Sequence, residues 1–169
     1  MAIRYSFQGF DGKSMVRVAG RNLAISTKAS YEVANFIKRR NVEWAIRNLE
    51  AVMQNIVAVP FKRYNNDVTH KPGKIGAARY PRKASLQVIK LLKNLRGAAK
   101  SKGLSTENLI IIHAAATKGP KRRRYGRKMG LERKNTHFEL VAKEGESLKS
   151  QGKQPQTKVI QKPAEVKAK

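Results

Sequence analysis

Residues 109–142 read Leu109-Ile-Ile-Ile-His-Ala-Ala-Ala, then Thr117-Lys-Gly-Pro-Lys-Arg-Arg-Arg-Tyr-Gly-Arg-Lys-Met-Gly-Leu-Glu-Arg-Lys, then Asn135-Thr-His-Phe-Glu-Leu-Val-Ala. The first eight are apolar and of strand length, and the last part alternates as a strand does. The segment between them is crowded with cations, holds the single carboxylate of Glu132, and offers little to a core. Hairpin loops are usually about 2–5 residues, and a loop well beyond about 12–15 is functional or disordered. The spacing therefore predicts a β-ribbon arm whose shaft belongs to the domain and whose tip sits in nucleic acid. With about 3.3 Å per residue, some 15 residues each way would extend about 50 Å, against a domain radius on the order of 15 Å. Ala114, Ala115 and Ala116 are read as keeping that shaft thin.

Charge points the same way. The 169 residues carry 37 Lys+Arg against 11 Asp+Glu, a formal +26, with 40% hydrophobic residues. That composition suits one domain with tails, and so large a charge calls for a polyanionic partner. No run of about 18 apolar residues suggests a membrane span. Cysteine is absent, which removes disulfide frameworks and thiolate metal sites and fits an intracellular protein.

Residues 1–15 show no sustained period and read as an extended arm lying on a partner or on the domain. Val16, Val18, Leu23 and Ile25 suggest a strand interrupted at Gly20. A helix follows, with Ser26 or Thr27 offering an N-cap oxygen and Glu32 favouring its dipole. Its apolar face is Ala29, Val33, Phe36 and Ile37, and it ends at Lys38, Arg39 and Arg40, with Asn41 capping the break. A second helix is expected over Val42–Ile56, with Ala45, Ile46, Leu49, Val52, Met53 and Ile56 on its buried side. A third runs from Ala84 to Lys100 with a stripe of Val88, Leu91, Leu92, Leu95, Ala98 and Ala99. Its other side, with Lys90, Lys93 and Lys100, can meet phosphate, and Gly103 ends it. Residues 144–169 lack aromatics and read as a disordered basic tail.

Pro60–Lys83 is a basic segment punctuated by Pro and Gly. Its cations Lys62, Arg63, Lys71, Lys74, Arg79, Arg82 and Lys83, interleaved with Phe61, Tyr64 and Tyr80, suit single-stranded or irregular RNA, where rings stack on unpaired bases. The competing reading is a solvated connection whose aromatics pack back on the helices. In the arm, Arg-rich character favours bidentate phosphate contacts. A nuclear-import signal is the alternative for Lys121–Lys128. Catalytic chemistry is not supported: there is no nucleotide-binding loop at Gly73-Lys74, no Gly-x-Ser-x-Gly elbow and no carboxylate pair. His113 and His137 could meet across the ribbon, but two imidazoles alone are a weak metal or acid–base signal. No catalytic residue, metal or cofactor is expected.

Several segments in order then resemble a known family, the universal large-subunit ribosomal protein family twenty-two (seventeen in eukaryotic naming). They are Arg21-Asn-Leu-Ala-Ile-Ser-Thr-Lys, Ala45-Ile-Arg-Asn-Leu, the long helix ending near Gly103, and Gly119-Pro-Lys-Arg-Arg-Arg-Tyr-Gly-Arg ahead of Thr136-His-Phe. The resemblance spans about residues 15–143, and Val59-Pro-Phe-Lys-Arg-Tyr-Asn is similar to archaeal and eukaryotic members. It implies an α+β fold, a small three-helix domain packed on a three-stranded antiparallel sheet with a long protruding β-hairpin. The implied organisation is an N-terminal arm at 1–15, an RNA-binding domain at 16–143 including the hairpin 109–142, and a tail at 144–169. The implied function is structural, in the large ribosomal subunit of the cytoplasm, with the hairpin lining the nascent-peptide exit tunnel. Partners would be large-subunit ribosomal RNA, neighbouring ribosomal proteins and the nascent polypeptide, with no membrane. By position, RNA contacts are expected from Arg21, Lys28, Lys62, Arg63, Tyr64, Arg79, Arg82, Lys83, Lys118, Lys121, Arg122, Arg133 and Lys134. The tunnel-lining tip would be Arg123, Arg124, Tyr125, Gly126, Arg127, Lys128 and Met129. The alternative is a free nucleic-acid-binding architectural or RNA-processing protein using a basic β-ribbon.

Overall fold

The computed structural model describes residues 5–73 and 75–145, so residues 146–169 of the expected 144–169 tail lie outside the described residues, while Glu144 is the last residue of a strand. Elements are numbered in chain order. Three strands, β1 (Met15–Leu23), β5 (Leu109–Lys118) and β8 (Thr136–Glu144), form an antiparallel sheet in the order β1-β8-β5. Alternation in β8 decides its two faces. Phe138, Leu140 and Ala142 enter the core, while Glu139 and Val141 are buried on the other face.

Three helices cover one face: α1 (Thr27–Ile37) lies over β5, α3 (Arg82–Ser101) lies over β1, and α2 (Val42–Met53) packs on α3. The helical stripes are buried as their spacing predicts, with Val33 and Ile37, Ala45 and Leu49, and Val88, Leu92 and Leu95 at or near zero exposure. Each such Val, Ile or Leu side chain contributes roughly 1.5–3 kcal/mol of hydrophobic stabilisation. Asn41 Oδ1 accepts from the Glu43 N–H at 2.8 Å and so caps α2. Ser26 occupies the N-cap position of α1 without a side-chain cap bond. The Thr27 hydroxyl is instead paired with that of Thr136 at 2.9 Å.

Several expectations change. The second helix stops at Met53, because Asn55 takes a left-handed φ of 63°, and Ile56 is 72% exposed rather than in the stripe. Residues 54–81 are not a plain loop. They contain β2 (Val59–Pro60), β3 (His70–Lys71) and β4 (Gly76–Arg79), a small sheet in the order β2-β4-β3. Phe61 packs there with Val52 and Val59, and the half-buried Tyr64 packs against the same cluster, as the competing reading expects, while Tyr80 stays half-buried.

The shaft of the arm is also different. Ala114 belongs to the core and Ala116 packs against it, paired with the buried Phe138. The alanines are small because α1 lies on them, not because the ribbon is free. A bulge between Ile111 and His113 carries the inward phase from Leu109 and Ile111 to Ala114 and Ala116. Beyond the core remain residues 120–134, about seven each way, which even fully extended would span at most roughly 25 Å rather than 50 Å. Within them, β6 (Arg122–Arg123) and β7 (Glu132–Arg133) pair, and a short 3₁₀ turn at Gly126–Lys128 closes the end.

The N-terminal segment lies on the domain. Ser6 donates its N–H and its hydroxyl to Glu139 Oε2 at 2.9 and 2.7 Å. The Phe7 ring is 5.5 Å from that of His113, and the Arg17 guanidinium lies 4.6 and 4.4 Å from the Tyr5 and Phe10 rings. His113 Nε2 is 3.1 Å from the Ser6 hydroxyl, and burial, helped by Lys38, pushes its pKa below the ordinary value. His137 is four register positions away, with Thr117 as its partner where His113 faces Val141. The two imidazoles therefore do not form a pair, because the strand spacing separates them.

Candidate nucleic-acid interface

The interface starts from a buried carboxylate. Glu32, 1% exposed on α1, accepts from the backbone N–H groups of Lys62, Arg63 and Tyr64 at 3.2, 2.9 and 3.0 Å. It is thus not a first-turn partner of the helix dipole. Three consecutive donors around one carboxylate curl the chain and turn the Lys62 and Arg63 side chains outward. Tyr64 meets Tyr31 edge-on at 5.7 Å, and the Arg63 guanidinium lies 5.2 and 5.6 Å from the two rings. Hydrogen bonds from Asn35 and Arg63 hold the Tyr31 phenol below its ordinary pKa. Tyr31 was not legible as a functional residue, since only the fold brings it to Tyr64.

The base of the arm is fixed by amides. Asn22, at φ 55° in the irregular end of β1, donates its N–H to His137 Nδ1 at 3.0 Å. Its side-chain oxygen accepts from Asn135 Nδ2 at 3.1 Å, and Asn135 also donates to the Pro120 carbonyl at 3.0 Å. Gly119 leaves room for this amide: a Cβ there would lie 2.7 Å from Asn135 Cγ. Asn135 is held on two sides and cannot simply swing away. Gly119→Ala is therefore expected to cost about 1–3 kcal/mol by overpacking, and to raise amide exchange at the arm's base before that of α3. Unchanged exchange and thermal stability would count against this tight fit.

Around that base the fold assembles residues distant in sequence. A groove of about 630 Å³ is lined by Ser26, Thr27 and Lys28, by Tyr64, by Lys118, Gly119 and Lys121, and by Glu132, Arg133, Lys134 and Asn135. Glu132 is paired with Lys121 at 2.9 Å, which holds its carboxyl below the ordinary range. A second groove of about 400 Å³, shared through Ser26 and Lys134, carries Tyr80, Arg82 and Lys83. Arg82 also donates from Nε to Asn55 Oδ1 at 3.2 Å.

The remaining candidates lie elsewhere. Arg79 is 5.9 Å from the Phe61 ring, Lys62 is exposed beside Glu32, and Arg21 is exposed on β1. Arg122 faces Arg133 directly across the β6–β7 ribbon. Like charges in that position repel, so a polyanion would relieve them. At the end of the arm Tyr125 is 94% exposed, Gly126 has φ 63°, and Met129 is also exposed. Residues 121–134, including Arg123, Arg124, Arg127 and Lys128, are all exposed. On α3, Lys93, Arg96 and Lys100 line a separate groove with Gly97 and the 103–107 turn. Among the described residues no helix is long and apolar enough to cross a membrane, and no group of three metal-ligating side chains converges.

Comparison with known proteins agrees with this arrangement. The family model described as ribosomal protein L22p/L17e matches residues 18–143. The large ribosomal subunit protein uL22 of Methanoregula boonei is 37% identical over 150 residues, covering 84% of this chain and 97% of that protein. The uL22 protein of Archaeoglobus fulgidus is 37% identical over 147 residues, covering 83% of this chain and 95% of its own length. The uL22 protein of Cenarchaeum symbiosum is 40% identical over 147 residues, 83% of this chain and 96% of its own. With the strand order, the three helices and the basic hairpin all in the expected sequence positions, the chain belongs to the ribosomal protein L22p/L17e family.

Proposed function

We propose that this protein is a structural, non-enzymatic constituent of the large ribosomal subunit that binds ribosomal RNA through the arm and the grooves at its base. In this reading residues 1–15 are an N-terminal arm, of which 5–14 lie on the domain, 16–143 are the RNA-binding unit and 144–169 are a basic extension. The cations named above from Arg21 to Lys134 neutralise phosphates, and residues 123–129 face the passage of the nascent peptide. Neighbouring ribosomal proteins complete the surroundings. One observation carries the proposal: cations from four chain segments converge on adjoining grooves whose one carboxylate, Glu132, is already paired. The exposed Tyr125 and Met129 give the tip a mixed apolar and cationic character suited to a passing peptide rather than to phosphate alone.

Purified full-length protein should bind large-subunit RNA with an affinity that falls on the order of 10³-fold or more between 50 and 200 mM salt, as counterions are released. It should also remain with the large subunit through a high-salt wash, and a photo-crosslinker at position 125 should label a stalled nascent chain. Salt-insensitive binding would overturn the RNA reading. Loss in the wash would favour a free RNA-binding factor, and no labelling would remove the tip from the tunnel.

A further inference from the structure

The groove at the base of the arm has an aromatic wall. Tyr64 borders it half-exposed, and its backbone N–H is held by Glu32 at 3.0 Å. The Tyr31 ring backs it edge-on at 5.7 Å and 84°. The ring is therefore in place before any ligand arrives. Lys28 Nζ and the Arg63 guanidinium lie over the Tyr64 ring, 5.7 and 5.6 Å from its centroid, so a base that stacks there takes the place of one of these cations. Lys118 and Lys134 line the same groove, whereas Lys121 is committed to Glu132 at 2.9 Å.

The opposite wall is rigid for a separate reason. Asn135 spends both amide hydrogens inside the protein, on Asn22 and Pro120, and Gly119 packs against it without a side chain. A volume of about 630 Å³ is that of a small-ligand cleft, within the roughly 300–1,000 Å³ typical of such sites. A paired RNA helix would lay phosphates along the rim but would keep its bases stacked away from the ring. An unpaired nucleotide uses both features, since its base has a free π-face and its phosphate follows on a flexible linkage.

We propose that this cleft holds one unpaired nucleotide of RNA, its base stacked on Tyr64 and its phosphate among Lys28, Lys118 and Lys134. The proposal rests on the reading above that this face binds RNA, and adds which RNA feature it selects. The cleft is thereby a recognition point for a bulge or strand end, while the arm beyond it contacts backbone without such choice.

The test compares a short RNA hairpin carrying one bulged 2-aminopurine nucleotide with the same hairpin fully paired, both titrated with the full chain. The bulged form should bind roughly tenfold more tightly, the scale of one base–aromatic stack. Its 2-aminopurine fluorescence should be quenched on binding. Tyr64→Leu should abolish both the preference and the quenching, and Tyr64→Phe should keep them. Equal binding of the two hairpins with salt-dependent affinity would overturn this proposal alone. Salt-independent binding, or none, to both would overturn the RNA reading beneath it. Should Tyr64→Leu not fold, the wild-type preference and quenching decide the matter. An acidic peptide of equal charge that displaces the bulged hairpin as well as RNA does would also overturn selection by the ring.

Discussion

Glu32→Ala lowers the unfolding free energy by about 3 kcal/mol, the scale of leaving several backbone donors without their acceptor at about 1–3 kcal/mol each. The carboxylate is almost wholly enclosed and satisfies three consecutive backbone N–H groups, those of Lys62, Arg63 and Tyr64. Removing it leaves three part-buried donors without their acceptor, each costing up to about 1–3 kcal/mol where water does not replace it. For a chain of this size the loss corresponds to a fall on the order of 10 °C in melting temperature. Glu32→Gln keeps one acceptor oxygen and so should fall between wild type and alanine. Hydrogen exchange at 62–64 should rise in both variants, and RNA affinity should drop several-fold because Lys62, Arg63 and Tyr64 lose their fixed presentation. A melting temperature within about 2 °C of wild type would show that the carboxylate does not organise this segment.

Replacing residues 121–133 by an Asn-Gly turn has the opposite pattern, large for binding and small for folding. Residues 121–134 are all exposed, and the core cluster draws on β5 no further than Ala116 and resumes at Phe138. Stability should therefore change by less than about 1 kcal/mol, as for surface changes elsewhere. The replacement removes seven cations, Lys121, Arg122, Arg123, Arg124, Arg127, Lys128 and Arg133. Of these, Lys121, Arg122 and Arg133 are read as phosphate contacts, so at about 0.7–0.9 per phosphate neutralised the salt slope of binding should decrease by roughly two to three. Affinity for large-subunit RNA should fall about 10³-fold or more near 50 mM salt. Collapse of the helical domain on this replacement would mean that the arm is part of the core, and an unchanged slope would mean that Lys121, Arg122 and Arg133 meet no phosphate.

The two variants separate local from long-range information. The arm was legible because its evidence lies within one segment: two strand-like ends, a basic centre too long for a turn, and one carboxylate. Glu32 was misread for the complementary reason. Its neighbours in sequence place it on a helix near its start, where a dipole role is the ordinary inference, but its partners lie some 30 residues further on. The same limit explains the histidines. Alternation places both on strands, whereas their separation depends on a register and a bulge between Ile111 and His113 that no local pattern announces.

The sequence by itself determined the α+β class, the faces of three helices, the family and the cationic arm, because periodicity and charge density are properties of continuous stretches. Tertiary structure alone decided that the shaft lies under α1, that the N-terminal segment folds onto Glu139, and that Lys28, Tyr64, Lys118 and Lys134 share one groove. Those outcomes depend on contacts between segments up to about 130 residues apart, where packing and hydrogen-bond satisfaction choose the partner and the local chain does not.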